Sequence, residues 1–202
     1  MPRATFFRDL GLFVAPGFLE PAFCDELRAP LSQTPYQEST IVGEQTSGSG
    51  VLDQSVRKAA RIDLEGPVRT HLRQRFLELM PALQDHFKLT LTGCQGPEFL
   101  SYDAGAFYLA HRDKTESGPA QTVHRQVSAV LFLNTQSKEP AQDAYGGGSL
   151  AFYGLLDGSQ WEKAGFPLEG EAGLLVAFRS EVLHEVQPVT FGRRYTVVSW
   201  FT

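Results

Sequence analysis

His111, Asp113 and His184 are the side chains whose types and spacing suit a metal ion. His111 and Asp113 stand two apart in the strand-like stretch Phe107-Tyr108-Leu109-Ala110-His111-Arg112-Asp113. Side chains two apart on a β-strand project to the same face, so both are expected to point one way and Arg112 the other. A distant imidazole, His184 in Leu183-His184-Glu185-Val186, supplies a third donor. Two imidazoles and one carboxylate leave positions open on the ion, and this donor set suits an Fe(II) that must also take small molecules. The His-x-Asp triplet by itself equally describes a structural histidine bonded to a carboxylate. Its meaning depends on what surrounds it.

After His184 a turn is expected at 190–192, and Arg194, Thr196, Val198 and Trp200 then alternate onto one strand face. An antiparallel return from His184 is expected to bring Arg194 beside the metal pocket. An arginine there suits the far carboxylate of a 2-oxo acid that chelates iron at its other end, through a bidentate charge-assisted pair. Thr196 offers a hydroxyl on the same face, whereas Arg193 is expected to face water. Tyr102 ends a strand before His111 and offers a phenol to the same co-substrate. The plainer reading is a core-edge tyrosine with its hydroxyl in water. In Tyr145-Gly146-Gly147-Gly148-Ser149-Leu150 three glycines lead into a strand, which marks a close backbone approach or a bulge. No Lys-Ser/Thr pair follows them, so phosphate cradling is not expected.

The elements that must position these groups read as helices first and strands after. A short strand over 10–14 and a turn at Pro16-Gly17 precede a helix over 21–31, with Phe23, Leu27 and Leu31 on one face and Pro30 at its end. Residues 39–54 are polar and carry Ser47-Gly48-Ser49-Gly50, a loop that could close over substrate or merely connect. A strand over 56–64 places Arg57 and Arg61 on one face, where they could meet a substrate carboxylate or simply be solvated. The longest helix is expected over 66–87, with Val68, Leu72, Phe76, Leu79, Leu83 and Phe87 inward and Pro81 kinking or dividing it. Short strands follow near 96–102, 107–112, 126–133, 149–153, 173–178, 184–189 and 194–201. This order predicts a mainly β sandwich or barrel with supporting helices.

Length and composition bound the function. The chain has 202 residues, 42% hydrophobic and 20% charged, which fits one globular domain. A net charge of -5 argues against a nucleic-acid partner. The apolar runs are strand-length and interrupted by charge, so no membrane span is expected. Arg3, Arg8 and Asp9 precede any long apolar run, unlike a secretory leader. Cys24 and Cys94 lack metal-type spacing and read as reduced, buried thiols, so a cytoplasmic location is expected. His124 reads as a surface residue.

Taken together, Tyr102, Gly105, Tyr108 and His111-x-Asp113, then Arg125-x-Val127-Ser128 and Leu133-Asn134, then Gly147-Gly148-x-Leu150, then His184-Glu185-Val186, Pro188-Val189, Gly192-Arg193-Arg194 and Trp200 form an ordered pattern. It resembles the prolyl-hydroxylase-like Fe(II)/2-oxoglutarate dioxygenases over residues 99–202. The resemblance implies a double-stranded β-helix core over 99–202, with 1–98 as helical support and lid in the same domain. It implies His111, Asp113 and His184 as iron ligands and Arg194 on the C5 carboxylate of 2-oxoglutarate. Tyr102 would contact the co-substrate, Leu150 would pack against its methylenes, and Arg125 would lie near the substrate. Two departures stand out. Phe132 occupies a position where some relatives carry a tyrosine that helps bind the C5 carboxylate, which leaves Thr196 for that task. Ser149 replaces the acidic residue of the Gly-Gly-Glu-Leu version. The implied reaction is hydroxylation of a C–H bond with Fe(II), 2-oxoglutarate and O2, with ascorbate as a candidate reductant. A prolyl residue of a peptide or protein is the leading substrate class. A free amino acid or small metabolite is the alternative, and a non-catalytic metal- or ligand-binding module is the reading from another class.

Overall fold

The computed structural model describes residues 4–33, 36–39, 53–117, 119–156, 158 and 164–202. Two sheets carry most of these residues, and every strand pairing among the named strands is antiparallel. The larger sheet is built from β1 (Phe13–Ala15), β2 (Tyr36–Glu38), β4 (Ala60–Ile62), β5 (Cys94–Asp103), β7 (Val127–Phe132), β11 (Leu175–Arg179) and β14 (Arg193–Phe201). Its spatial order is β1-β11-β7-β14-β5-β4-β2. The smaller one is built from β3 (Arg57–Lys58), β6 (Phe107–His111), β9 (Leu150–Tyr153), β10 (Phe166–Leu168) and β12 (Leu183–Val186), ordered β10-β9-β12-β6-β3. A separate ladder joins β8 (Gly146–Gly147) to β13 (Val189–Phe191).

The period-2 alternation of the large sheet feeds two cores. In β7, Val127, Ala129 and Leu131 face one cluster, while Val130 and Phe132 face the other. Burial on both faces explains why this strand reads as an unbroken apolar run. The first cluster lies under α2 (Pro21–Gln33) and α3 (Pro67–Phe87). Four α3 side chains, Leu72, Phe76, Leu83 and Phe87, are buried there, each contributing roughly 1.5–3 kcal/mol. The second cluster lies between the sheets, where Leu100, Tyr102 and Phe132 of one meet Leu150, Phe152 and Val186 of the other. This sandwich with helices on one outer face is the expected mainly β architecture.

Several expectations are corrected. Pro81 does not divide α3, and α2 runs past Pro30 to Gln33. One proline removes a single donor and its partner bond, which the packing of the remaining turns outweighs. The strand expected over 56–64 is two strands, β3 and β4, which join different sheets on either side of Ala59. Two short helices, α1 (Ala4–Asp9) and α4 (Ala120–Val123), were not anticipated. The loop expected over 39–54 falls largely on 40–52, outside the described residues. Among the described residues no helix is long and apolar enough to cross a membrane.

Candidate metal centre

The small sheet supplies the three metal-type ligands. His111 closes β6 and His184 sits in β12, and the two are register partners. The register then slips, because Val186 pairs with Tyr108, so two residues of β12 oppose three of β6. This β-bulge adds one residue to β6 and places Tyr108 and His111, three apart, on the same face. Their rings stack with centroids 3.5 Å apart at 18°. Asp113 lies beyond the end of β6, so strand alternation alone does not aim it. Its backbone N–H, with that of Lys114, donates to the carbonyl of Ser180 at 3.0 Å, just after β11.

The ligand atoms of His111, Asp113 and His184 all lie within 4.8 Å of one another. Asp113 Oδ1 is 3.6 Å from His111 Nε2, and Asp113 Oδ2 is 3.6 Å from His184 Nε2. Each imidazole is oriented from behind. His111 Nδ1 is 2.8 Å from the carbonyl of Leu109, and His184 Nδ1 is 2.9 Å from that of Val182. A carbonyl only accepts, so each Nδ1 carries the proton and each Nε2 turns its lone pair to the common point. Burial and the neighbouring His111 push the His184 imidazole down to about 4, which keeps it a neutral ligand. Burial alone would raise the Asp113 carboxyl, but His184, His111 and Arg125 outweigh it and hold the group well below the usual carboxylate range.

Arg194 faces this point from the opposite sheet. The expected hairpin from His184 is not what brings it there, because β12 pairs with β6 and β9, whereas β14 pairs with β5 and β7. Arg194 stands directly opposite Tyr102 on β5, and Thr196 lies two residues along β14. The guanidinium carbon is 5.1 Å from the ring centres of both Tyr102 and Phe132. Arg194 is 1% exposed, yet among the described residues its Nε and Nη2 have no hydrogen-bond partner. Nη1 makes a long donation to Thr196 Oγ1, at 3.4 Å. Two unmatched guanidinium donors deep in a core are costly unless an anion meets them, and their fork fits a carboxylate. Arg193, by contrast, turns outward and pairs with Asp103.

These groups line one cavity of about 230 Å³. Leu150, Val186 and Val198 give it apolar walls between metal point and Arg194. Its mouth is net basic, with Arg57, Arg61 and Arg125 set against the carboxylate of Glu98. Arg57 and Arg61 both reach it although their strands belong to different sheets. Arg57 lies over the Tyr108 ring at 4.6 Å, and Arg125 lies over Trp200 at 3.6 Å. Arg125 also donates from Nε to Gln95 Oε1 at 3.1 Å and from Nη1 to the Asp113 carbonyl at 3.4 Å. His124 caps α4 and is exposed, away from the ligands.

Two residues next to the chemistry have no role assigned from the sequence. Tyr108 belongs to the ordered pattern, but its partnership with His111 depends on a bulge that spacing does not reveal. Tyr145 was visible, ahead of the glycine run, but only the glycines were read. The structure buries it completely, and among the described residues no group accepts from its hydroxyl. The close approach predicted for the glycines is present, since a Cβ on Gly147 would stand 2.3 Å from the carbonyl oxygen of Pro188.

The model of the 2OG-Fe(II) oxygenase superfamily matches residues 97–202. A PKHD-type hydroxylase of Shewanella baltica (strain OS185) is 30% identical over 162 residues, 79% of this chain and 66% of its own. A PKHD-type hydroxylase of Synechococcus is 34% identical over 100 residues, 49% of this chain and 39% of its own. The chain thus spans two thirds or less of these relatives' length. Among solved structures, a prolyl-4-hydroxylase of Pseudomonas putida superposes with a TM-score of 0.69 at 26% identity, covering 99% of both chains. A prolyl hydroxylase of Trichoplax adhaerens, solved with a hypoxia-inducible-factor peptide, shares the fold at a TM-score of 0.71 and 19% identity, covering 98% of this chain and 86% of its own. Because the family match takes in more than half of the sequence, the chain belongs to the 2OG-Fe(II) oxygenase superfamily, whose members work with Fe(II), 2-oxoglutarate and O2.

Proposed function

We propose that this protein is an Fe(II)- and 2-oxoglutarate-dependent dioxygenase that hydroxylates a C–H bond, with a prolyl residue of a peptide or protein as substrate. One observation carries the reading: a His-Asp-His cluster on one sheet faces a buried, partner-poor Arg194 on the other, across a single cavity. His111, Asp113 and His184 would hold the iron through Nε2, a carboxylate oxygen and Nε2. Bound there, it would supply the oxidative chemistry that links decarboxylation of 2-oxoglutarate by O2 to oxidation of the substrate C–H bond. Arg194 binds the far carboxylate of the co-substrate, Tyr102 supports it from the facing strand, and Thr196 adds a hydroxyl. Leu150 packs along the methylenes and helps keep water out.

The prolyl substrate rests on the relatives. The matched curated chains are PKHD-type hydroxylases, and the Pseudomonas putida structure that covers nearly the whole chain is a prolyl-4-hydroxylase. Arg125 and Arg57, at the mouth, meet the substrate's backbone or charge. The 202 residues act as one domain, in the cytoplasm, with ascorbate as reductant.

A second reading, hydroxylation of a free amino acid or small metabolite, is favoured by the basic mouth, where Arg57, Arg61 and Arg125 would suit a free carboxylate. Incubation with Fe(II), 2-oxoglutarate and O2 tests the class through succinate release. Mass spectrometry of peptide and amino-acid pools for a gain of one oxygen then separates the two substrate classes. A protein that binds metal but releases no succinate with any pool is a binding module, and the proposal fails.

A further inference from the structure

We infer that Tyr145 supplies the hydroxyl that reads the far carboxylate of the co-substrate, in place of the tyrosine that Phe132 does not provide. The inference rests on the co-substrate reading above and assigns a residue within it. Tyr145 precedes β8, its backbone fixed by donation to Thr135 at 3.3 Å and acceptance from Ser137 at 2.8 Å. Its side chain is wholly buried, and among the described residues no group accepts from its Oη. The ring and the Arg194 stem flank the same glycine. A Cβ on Gly148 would stand 3.1 Å from Arg194 Cδ and 3.2 Å from Tyr145 Cε2. The hydroxyl and the edge of Phe132 likewise converge. A Cβ on Gly170 would stand 2.2 Å from Tyr145 Oη and 2.4 Å from Phe132 Cδ1. Tyr145 Oη therefore lies beside the edge of the ring on which a tyrosine at 132 would carry its hydroxyl.

Electrostatics point the same way. Burial raises the Tyr145 phenol above its ordinary value, while the charge of Arg194 and its hydrogen bonding toward the phenol oxygen oppose that rise. A neutral phenol beside a guanidinium keeps its own proton to donate, and among the described residues neither it nor Arg194 Nε and Nη2 meet an acceptor. One carboxylate with two oxygens can take all three. Thr196 Oγ1 accepts the long Nη1 donation and keeps its own proton, so its hydroxyl can join that of Tyr145 on the same carboxylate.

The test is calorimetry on the Mn(II)-loaded protein with two ligands, 2-oxoglutarate and 2-oxobutyrate. Both offer the same 2-oxo acid head, but only the first has a far carboxylate. Tyr145→Phe should weaken 2-oxoglutarate about tenfold to a hundredfold, as expected for a hydrogen bond to a charged acceptor, and leave 2-oxobutyrate unchanged. The double variant Tyr145→Phe/Phe132→Tyr should recover most of the lost affinity by restoring a phenol from the other side. Unchanged 2-oxoglutarate affinity in Tyr145→Phe overturns the assignment. So does an equal loss for both ligands, which marks a packing role only. If the wild-type protein itself fails to prefer 2-oxoglutarate, the co-substrate reading falls and this inference falls with it.

Discussion

His184 and His111 are register partners on neighbouring strands, with ring centroids 4.3 Å apart and each Nδ1 tied to a carbonyl two residues back in its own chain segment. The pairing fixes both Nε2 lone pairs before any ion arrives. A preset pair loses little side-chain freedom on binding, so affinity should depend steeply on each member. Asp113 sets one oxygen 3.6 Å from each Nε2 and supplies the cluster's negative charge, so Asp113→Ala should lose Mn(II) binding by calorimetry and succinate formation, while the protein stays folded by circular dichroism. Full turnover by that variant would sink the metal assignment.

Chelation provides a second check. Ion binding to the native state alone stabilises it by mass action. Wild-type protein stripped with a chelator should melt lower than the same protein with excess Mn(II). His184→Ala should show no difference between the two conditions. A metal-dependent shift of normal size in His184→Ala would place the ion elsewhere.

Arg194→Lys keeps the positive charge but removes the fork. A single ammonium cannot make the two parallel bonds of a guanidinium, and hydrogen bonds to charged groups are worth about 1.5–3 kcal/mol. The apparent KM for 2-oxoglutarate should rise by roughly tenfold or more, with Mn(II) affinity unchanged. An unaltered KM would remove Arg194 from the co-substrate site.

Gly170→Ala tests the packing beneath that site. The added methyl would meet Tyr145 Oη at 2.2 Å and Phe132 Cδ1 at 2.4 Å, both in a closed core. Overpacking of this kind costs about 1–3 kcal/mol, read as a lower urea midpoint. Wild-type stability in the variant would mean that the two rings have room to move.

Cys24 predicts how stability varies in alkali. It lies on the fully buried face of α2, and burial pushes its thiol from 9.0 to about 11. Between these values the unfolded chain has released the proton and the folded chain has not, so stability falls as pH rises through the window. The loss is at most about 3 kcal/mol. Cys24→Ala should flatten this part of the curve in urea titrations from pH 8 to 11. An equally steep fall in the variant would assign the effect to other groups.

Much of the site was legible because its chemistry is written in residue type and order. The His-x-Asp pair, the later histidine and the buried arginine were found in this way. The alternation of Arg194, Thr196, Val198 and Trp200 was also right, since all four line the cavity. The route from His184 to Arg194 was not legible. A segment of this length can return beside its own strand or cross to another sheet, and only the tertiary pairing decides. The β6 bulge was equally hidden, because an extra residue changes which side chains meet without changing composition. Pro30 and Pro81 show packing overriding a local breaker.

Because the metal ligands belong to the small sheet and Arg194 to the large one, a 2-oxo acid held at both ends is also a brace across the sandwich. β12 and β14 lie in different sheets and are not strand neighbours. With the brace in place, amides of both strands should exchange hydrogen more slowly, and together. Co-substrate and substrate would then be coupled mechanically, since the second must fit a mouth whose walls the first has drawn tight.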